Sequence, residues 1–247
     1  MFEDLWELYE FRFFVIYGIP LILLFTGTYI YSYFFGPQKI KRIFKNLSIT
    51  SIRECKDKEI SKINGKLVFS NENHNTPFSQ RECSLYELTF EEEYTPHSQR
   101  DNLFAKNSWR EISSRTAKYD FLIFDGSDYA VIQTDSIVTL LHRELMLEKV
   151  SGSSFEDGIE ISLKKLMRGL GISPSDYVHY DSGIRIYEAI LEKGESVSIC
   201  GSGEWVKTTN ISSLNGLNID LPDKMFVFQG SKQSPLYISD NKEVIGA

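Results

Sequence analysis

Hydrophobic and polar positions divide the chain into two parts of different character. From Phe13 to Phe35 the residues FFVIYGIPLILLFTGTYIYSYFF include no charged side chain, whereas beyond residue 50 the apolar residues come in short, alternating runs. At about 1.5 Å per residue, a helix of this length spans roughly the 30 Å hydrocarbon layer of a bilayer. The pattern therefore predicts a single transmembrane helix over residues 13–35.

A cleaved signal peptide and a buried core helix are the alternatives for this segment. A signal peptide has a basic start, a shorter apolar region and a small-residue cleavage site. Here the start is acidic and the segment ends in bulky aromatic residues; the acidic residues are Glu3, Asp4, Glu7 and Glu10. The sequence therefore favours a retained membrane anchor.

The charges on either side of the apolar segment predict its orientation. Arg12 is the only cation before it, whereas residues 36–50 carry four cations, Lys39, Lys41, Arg42 and Lys45. The positive-inside bias then makes residues 1–12 a short non-cytoplasmic N-terminus and residues 36–50 a basic juxtamembrane linker, with the larger part of the chain in the cytoplasm. The favoured interpretation is that these four cations only set the orientation of the span in the membrane. The alternative is that their side chains also contact anionic lipid.

Beyond residue 50 the alternating pattern predicts a β-rich domain. Runs enriched in β-branched and aromatic residues between turn residues are typical of strands. The predicted strands are residues 60–69, 84–94, 109–115, 119–124, 129–133, 140–150, 184–191, 196–200 and 225–229. The stretches Asp125-Gly126-Ser127-Asp128 and Lys193-Gly194 are predicted to be the turns of two β-hairpins.

One helix is predicted among these strands. In DGIEISLKKLMRGLG one apolar stripe has helical spacing, with Asp157 as the cap and Gly171 at the end; the stripe consists of Leu163, Leu166, Met167 and Leu170. The predicted fold class is therefore α+β: a transmembrane helix followed by a mostly antiparallel β domain with one helix. This domain is expected to cover residues 51–230, with a C-terminal tail over 231–247.

Composition and charge narrow the functional classes. The 247 residues are 42% hydrophobic and 25% charged, as in ordinary globular proteins. The net charge of -7 argues against nucleic-acid binding, because phosphate contacts require clustered Lys and Arg. Cys55, Cys83 and Cys200 are far apart and odd in number, which fits neither a disulfide framework nor a zinc motif. Unpaired cysteines agree with a reducing cytosol.

The sequence ICGSGEW, residues 199–205, raises the question of a nucleophile. An α/β-hydrolase elbow needs glycine two residues before and two after its serine, but Cys200 and Glu204 hold those positions around Ser202. A reactive thiolate at Cys200 would need a nearby cation or helix N-terminus. Because Cys200 ends an alternating strand, we predict a structural thiol, with a reactive one as the alternative.

The carboxylates of Glu188, Glu192 and Glu195 are also candidates for chemistry. Glu188 and Glu192 share a face in a strand, and with Glu195 they could flank a cleft as an acid and base pair. The sequence instead favours a position for these three carboxylates on the solvent-exposed side of an edge hairpin. The run 91–93, Glu-Glu-Glu, is likewise predicted to be a solvent-facing strand end.

Metal binding is not predicted. The chain has four histidines, His74, His97, His142 and His179. No two of them are separated by four residues, and none lies in an HExxH motif. His142, in LLHRELML, is expected to be a half-buried structural residue. Asp125 and Asp128 are more typical of a turn than of a calcium loop, which needs further oxygens at set intervals. The sequence therefore assigns no catalytic, cofactor-binding or metal-binding residue.

Five short motifs follow one another along the β-rich part. They are INGKL at 63–67, RECSLYEL at 81–88, a strand opening at Trp109, YDFLIFDGSDYAVIQT at 119–134 and IRIYEAILEKGESVSICG at 184–201. Their order resembles the GIDE, or beside-a-membrane (BAM), domain of the membrane-anchored mitochondrial E3 ubiquitin ligase family, which also occurs in prokaryotes. The resemblance implies a cytosolic β-rich module that is held near a membrane and handles substrates or partners.

The chain also departs from that family. The ligases carry two membrane spans and a RING domain, whose zinc needs closely spaced Cys and His, but no Cys or His follows Gly203. The chain thus resembles a prokaryotic-type member without the RING. We predict a membrane-anchored, non-enzymatic interaction or scaffold domain that binds a protein or lipid. The alternative is an E3 ubiquitin ligase-related or other membrane-bound enzyme that acts with a partner.

Overall fold

The computed structural model describes residues 14–35, 37–70, 74–94, 108–149, 159–173, 183–214 and 221–246. The chain forms two compact units, which meet in sequence between Ser48 and Ile49. Four of the sequence predictions fall outside the described residues: the N-terminal segment 1–12, the cap at Asp157, and the histidines His97 and His179.

The first unit is helical. A π-helical turn over Phe14–Gly18 precedes helix α1, Ile19–Phe35, and helix α2 follows over Pro37–Asn46. The predicted span over 13–35 is therefore divided between the π-helical turn and α1. In the part of the chain that the structure describes, no single helix combines the length and apolar character needed to cross a membrane.

The described part of the second unit contains strands in three sheets, two α-helices and three short 3-10 helices, Ile52–Glu54, Thr208–Asn210 and Ser212–Leu214. The strands are β1 (Ser61–Ser70), β2 (His74–Asn75), β3 (Glu82–Cys83), β4 (Leu85–Tyr94), β5 (Ser108–Lys118), β6 (Phe121–Phe124), β7 (Tyr129–Ile132), β8 (Ile137–Leu140), β9 (Glu144–Lys149), β10 (Ile184–Leu191), β11 (Ser196–Gly201), β12 (Gly203–Lys207), β13 (Lys224–Phe228) and β14 (Leu236–Ser239). The α-helices are α3 (Ile159–Gly169) and α4 (Lys242–Ile245).

The sheets are mostly antiparallel. One has eight strands in the order β12-β13-β7-β6-β1-β11-β14-β8, one has four in the order β5-β4-β10-β9, and β2 pairs with β3. Only β13 with β7 and β14 with β8 pair in parallel among the described strands. The predicted class, α+β with mostly antiparallel strands, is confirmed.

The Gly201-Ser202-Gly203 stretch is a corner of the eight-stranded sheet. It joins β11, inside the sheet between β1 and β14, to β12, which pairs with β13 at the edge. A Cβ at Gly201 would collide with the Leu236 side chain, and one at Gly203 with the carbonyl oxygen of Val227. The bend therefore requires glycine at 203, where the obstacle is backbone, and a larger residue at 201 would have to displace the Leu236 side chain.

The main core lies on one face of this sheet. Alternating residues of β1, β6, β11 and β13 are buried there, including Ile63, Ile123, Ile199, Phe226 and Phe228. Trp205 packs at its edge, with its ring 5.5 Å from that of Phe226, and donates its indole N–H to the Cys55 carbonyl at 2.9 Å. The indole thus buries its apolar body while its one donor is satisfied.

Helix α3 covers one face of the four-stranded sheet. Of its predicted stripe, Leu163 and Met167 are buried against the sheet, and Leu166 and Leu170 pack beside them. Gly171 adopts a positive φ of 72° and the N–H of Ile172 donates to the Met167 carbonyl at 2.8 Å. The amphipathic stripe and the glycine end of this helix are confirmed.

Two strand predictions need correction. The predicted strand 140–150 is divided between β8 and β9, which belong to different sheets. Residues 231–247, expected to be a tail, contain β14, in which Leu236 and Ile238 are fully buried. The sequence did not identify β8, β12 and β14, which have four or five residues each, although it did predict β6, β7 and β13 of the same length.

The two predicted hairpins differ in outcome. The Asp125 turn joins β6 and β7, which pair with each other, so this hairpin is confirmed. Gly194, with a φ of 89°, does form a turn, in which the N–H of Glu195 donates to the Glu192 carbonyl at 3.2 Å. The strands beside it do not pair: β10 is in the four-stranded sheet and β11 in the eight-stranded one. The second hairpin is therefore wrong, and this turn connects the two sheets.

Candidate functional site

A cleft of about 880 Å³ lies beside the turn that connects the two sheets. Its walls come from the segment before β3, from β9 and β10, from the start of β11 and from the C-terminal residues around α4. Six of the lining residues are ionisable: Arg81, His142, Glu144, Glu195, Asp240 and Lys242. A concave space of this volume with converging polar groups is the usual form of a ligand site.

Arg81 organises one wall of the cleft. Its guanidinium donates to both carboxylate oxygens of Glu192, at 3.0 and 2.8 Å, and to Glu144 at 2.7 Å. Hydrogen bonds from Arg81 hold the pKa of Glu192 below its usual value, and those from Glu192 raise the pKa of Arg81. Because two carboxylates already pair with this guanidinium, it orders the wall and offers little to an anionic ligand.

Glu195 and Asp240 are carboxylates held by backbone amides. Glu195 accepts a hydrogen bond from the N–H of Glu192 at 2.7 Å, and Asp240 accepts one from the N–H of His142 at 2.8 Å. Burial raises the pKa of both carboxyl groups, and the hydrogen bonds from the backbone amides lower it in part. The negative charge of Asp240 raises the pKa of Glu195 further. Carboxyl groups perturbed in this way within a cleft are typical of functional sites.

The C-terminal side of the cleft is fixed to the eight-stranded sheet by side-chain hydrogen bonds. Asn64 of β1 donates to the Ile245 carbonyl at 2.8 Å and accepts from the Ser198 hydroxyl at 2.6 Å. Ser239 donates to the Leu140 carbonyl at 2.8 Å, and the side chain of Asn241 caps α4 by accepting from the N–H of Glu243 at 2.9 Å. Asp240 and Lys242 are therefore presented by an ordered segment.

Glu188 is buried on β10, the strand that also supplies Ile190 to the lining of this cleft. Its side chain is 1% exposed, and neither carboxylate oxygen has a hydrogen-bond partner among the described residues. Glu188 lies opposite Glu144 in the pairing of β10 with β9 and two positions before Ile190, so all three project from one face. Glu144 and Ile190 both line the cleft.

The predicted solvent exposure is wrong for Glu188 and for Glu92, the middle residue of the 91–93 run, whereas Glu91 and Glu93 are half-buried. β10 is an interior strand between β4 and β9, not the edge of a hairpin, and α3 packs on the face from which Glu188 projects. Glu92 is 5% exposed and accepts from Arg110 at 2.6 Å. Glu92 pairs opposite Ile184 of β10 and so also points to the covered face.

His142 was expected to be a half-buried structural histidine, and this is also wrong. It lies in the exposed connection between β8 and β9, and it lines the cleft. The sequence predicted one continuous strand here, which would have placed this residue in a sheet. The break between β8 and β9 places the backbone N–H of His142 within hydrogen-bond distance of the Asp240 carboxylate.

The cysteines are held in their unreactive form. Cys200 is 1% exposed, and burial raises the pKa of its thiol to about 11, although Lys62, opposite it on β1, lowers that value. Cys83 pairs across β2 and β3 with His74, which stacks on Tyr119 at 3.5 Å. Burial, together with the charge of Glu188, raises the pKa of the Cys83 thiol to about 12. Neither thiol is ionised near neutral pH, as a nucleophile would need to be.

No group of three or more His, Cys, Asp or Glu side chains within the described ranges could hold a metal ion. Comparison with known proteins adds no further assignment: no protein-family model matches the chain, and no curated protein or solved structure matches it. The resemblance to the GIDE domain therefore depends on the sequence motifs alone.

Sequence reasoning singled out Glu188, Glu192 and Glu195 but missed Arg81, Asp240 and Lys242. Asp240 and Lys242 fall in the segment that was predicted to be a tail. The available signal was the short apolar alternation LYIS immediately before Asp240, which indicates a strand end. No local pattern places Arg81 beside Glu192, because 111 residues separate them in the chain.

Proposed function

We propose that this chain is a membrane-anchored interaction domain, similar to a GIDE module without a RING, that binds a partner protein and has no catalytic activity of its own. The cleft beside the turn between the sheets is its binding surface. The observation that carries the proposal is the set of carboxylates that Arg81 and backbone amides hold in the walls of this cleft. Fixed polar groups in a concave surface are suited to recognition.

The anchor is proposed to be the segment 14–35. Several large apolar side chains of α1 are more than half exposed, among them Leu21, Leu23, Leu24, Phe25 and Ile30. An apolar surface of this kind is unfavourable in water and favourable in lipid. The hydroxyls of Thr26 and Thr28 donate to backbone carbonyls, at 2.8 and 2.9 Å, so these polar groups are satisfied within the helix, as lipid requires.

Helix α2 is proposed to lie at the cytoplasmic membrane surface. It places two buried apolar residues, Ile40 and Phe44, one turn apart. The proposed contacts with anionic lipid headgroups are made by the four cations of this helix, Lys39, Lys41, Arg42 and Lys45. In this arrangement the second unit lies in the cytoplasm.

Alkaline carbonate extraction of membranes tests the anchor. The full chain is expected to stay in the membrane pellet, because its insertion does not depend on charge. A variant with Leu23→Arg and Leu24→Asp is expected to appear in the supernatant, since charges at the centre of a span cost about 3 kcal/mol each on insertion scales. Recovery of the unaltered chain in the supernatant would reject the anchor.

Site-specific photo-crosslinking tests the binding surface. A photoreactive residue at Ser196, which lines the cleft, is expected to form a discrete adduct with one protein. The same residue at Glu111, on the exposed side of β5, is the matched control and is expected to form none. Adducts of equal yield at both positions, or none at Ser196, would contradict the proposed surface.

A second candidate function is a membrane-bound enzyme that acts with a partner. It is favoured by Glu195 and Asp240, which line one cleft and both have a raised pKa, as is common for carboxyl groups at functional sites. Intact-mass measurement of the crosslinked protein, before and after incubation with the chain, distinguishes the two functions. A mass change that Asp240→Asn abolishes supports the enzyme, and an unchanged mass supports the interaction domain.

A further inference from the structure

Carboxylates outnumber cations around the cleft. Glu144, Glu195 and Asp240 line it, Glu192 binds Arg81 at its edge and Glu188 lies beside Glu144. The cations of its lining are Arg81 and Lys242. Since Arg81 already binds two of these carboxylates, the charge balance of the described walls favours a cationic ligand.

Glu188 is a second and independent sign of a ligand. A buried carboxyl group without a hydrogen-bond partner is costly, and native proteins contain few such groups. This group is 1% exposed and projects from the same face as two residues that line the cleft. A donor that enters between Glu144 and Ile190 would supply the hydrogen bonds that Glu188 lacks.

The chemistry of the walls restricts the kind of cation. Among the described residues, no three or more His, Cys, Asp and Glu side chains are grouped so that they could hold a metal ion. Ammonium and guanidinium groups, in contrast, carry three and five N–H donors. Those donors suit carboxylates that each have one oxygen fixed by a backbone amide, as Glu195 and Asp240 do.

We propose that the cleft receives a lysine or arginine side chain of the partner protein, whose charge lies among Glu195, Asp240 and Glu188. This inference rests on the proposed function, because it names the chemistry of the partner at that same surface. Arg81 then acts as a positioning residue: it holds Glu144 and Glu192 in the wall and has no contact with the bound cation.

Fluorescence anisotropy with the full chain in detergent micelles tests this proposal. The probe is a short labelled peptide, acetylated and amidated, that alternates glycine with lysine and arginine. Its neutral counterpart has acetyl-lysine and citrulline at the same positions. The chain is expected to bind the basic peptide at least about tenfold more tightly than the neutral one.

Charge-neutralising variants locate the binding. Glu195→Gln and Asp240→Asn are each expected to weaken binding of the basic peptide about tenfold, because they leave a buried cation without its counter-charge. Glu111→Gln removes the same charge from β5, outside the cleft, and is expected to change nothing. Thermal unfolding of each variant verifies that it is folded, and Glu188→Gln serves as a further variant if one of the first two does not fold.

The inference is overturned if both peptides bind equally, or if the cleft variants bind like Glu111→Gln. A crosslink from Ser196 together with equal binding of the two peptides would reject the basic side chain and retain the interaction domain. Absence of the crosslink would reject the interaction domain itself. The two failures are therefore distinguishable.

Discussion

At the scale of one residue, Glu188 and Asp125 show how differently a carboxyl group can be accommodated. Asp125 accepts from three backbone amides, those of Ile52, Ser127 and Asp128, at 2.8, 2.8 and 2.9 Å. Glu188 is more deeply buried and accepts from none among the described residues. The hydrogen-bonded Asp125 carboxylate stabilises the fold, whereas the unpaired Glu188 carboxyl group destabilises it.

Replacement of Glu188 by methionine is expected to stabilise the domain. A buried polar group without a partner costs about 1–3 kcal/mol, and methionine has a similar length and no polar atom to leave unpaired. Glu188→Met is therefore expected to raise the free energy of unfolding by about 1–3 kcal/mol and to weaken binding of the basic peptide. Urea unfolding measures the first effect, and a less stable variant would contradict it.

Asp125→Ala is expected to destabilise the domain mainly above pH 4. Burial opposes ionisation of Asp125, but the amides of Ile52, Asp128 and Ser127 outweigh it and lower the pKa of this carboxyl. A lowered pKa contributes stability above the unfolded value of about 3.9, and that stability is lost as the pH falls through the folded value. Urea unfolding should give a difference of about 1–3 kcal/mol at pH 7 that shrinks in acid. A difference independent of pH would disprove the role of the charge.

Binding of the basic peptide is expected to strengthen as the pH rises. The pKa values of Glu195 and Asp240 are raised, so these groups gain charge only above the usual range for carboxyl groups, about 4. Glu192, Arg81 and Asp240 face Glu195, while His142 and Glu87 face Asp240. Anisotropy in the His142→Asn background isolates the carboxyl groups from the imidazole. A flat profile in that background would show that these two groups do not bind the cation.

At the scale of elements, the corner between β11 and β12 depends on glycine. A Cβ at Gly203 would meet the backbone of Val227, and backbone cannot move aside as a flexible side chain does. Neighbouring Ser202 contributes its carbonyl, which accepts from the N–H of Gln229 at 3.1 Å. The corner therefore depends on the size of its glycines and on backbone hydrogen bonding, neither of which involves the serine hydroxyl.

Gly203→Ala is expected to lower the free energy of unfolding by about 1–3 kcal/mol, the usual cost of overpacking. Ser202→Ala keeps the backbone hydrogen bond and is the matched control, with an expected change within about 0.5 kcal/mol. Thermal unfolding of both variants measures the difference. If Ser202→Ala lowers the free energy of unfolding more than Gly203→Ala does, the serine hydroxyl, and not the close packing of the glycine, stabilises this corner.

Local patterns predicted local elements well. β1, β4 and β10 are eight to ten residues long, and the stripe of α3 continues over two turns, so their positions follow from the sequence. Whether two successive strands share a sheet depends on distant partners, and for this reason the Gly194 turn was mistaken for a hairpin. The cleft was not predictable because it joins Arg81 to Glu144 and Glu192 over 63 and 111 residues.

At the scale of the whole molecule, the chain divides into an apolar helical unit and a β-rich unit that carries the cleft. The proposed anchor and the proposed binding surface thus belong to separate parts of the sequence. Substitutions in α1 are expected to change membrane retention, whereas those in the cleft change peptide binding. Carbonate extraction and anisotropy on both sets of variants measure these effects separately, and loss of peptide binding by a correctly folded α1 variant would contradict this independence.

The place of β14 has a consequence for synthesis of the protein. This strand lies between β11 and β8, and the residues that follow it supply Asp240 and Lys242 to the cleft. During translation the apolar segment near the start emerges first, long before residues 236–246 exist. On the proposed function, a nascent chain would therefore hold its proposed anchor before its proposed binding surface is complete, and release before Leu236 would leave that surface without Asp240 and Lys242.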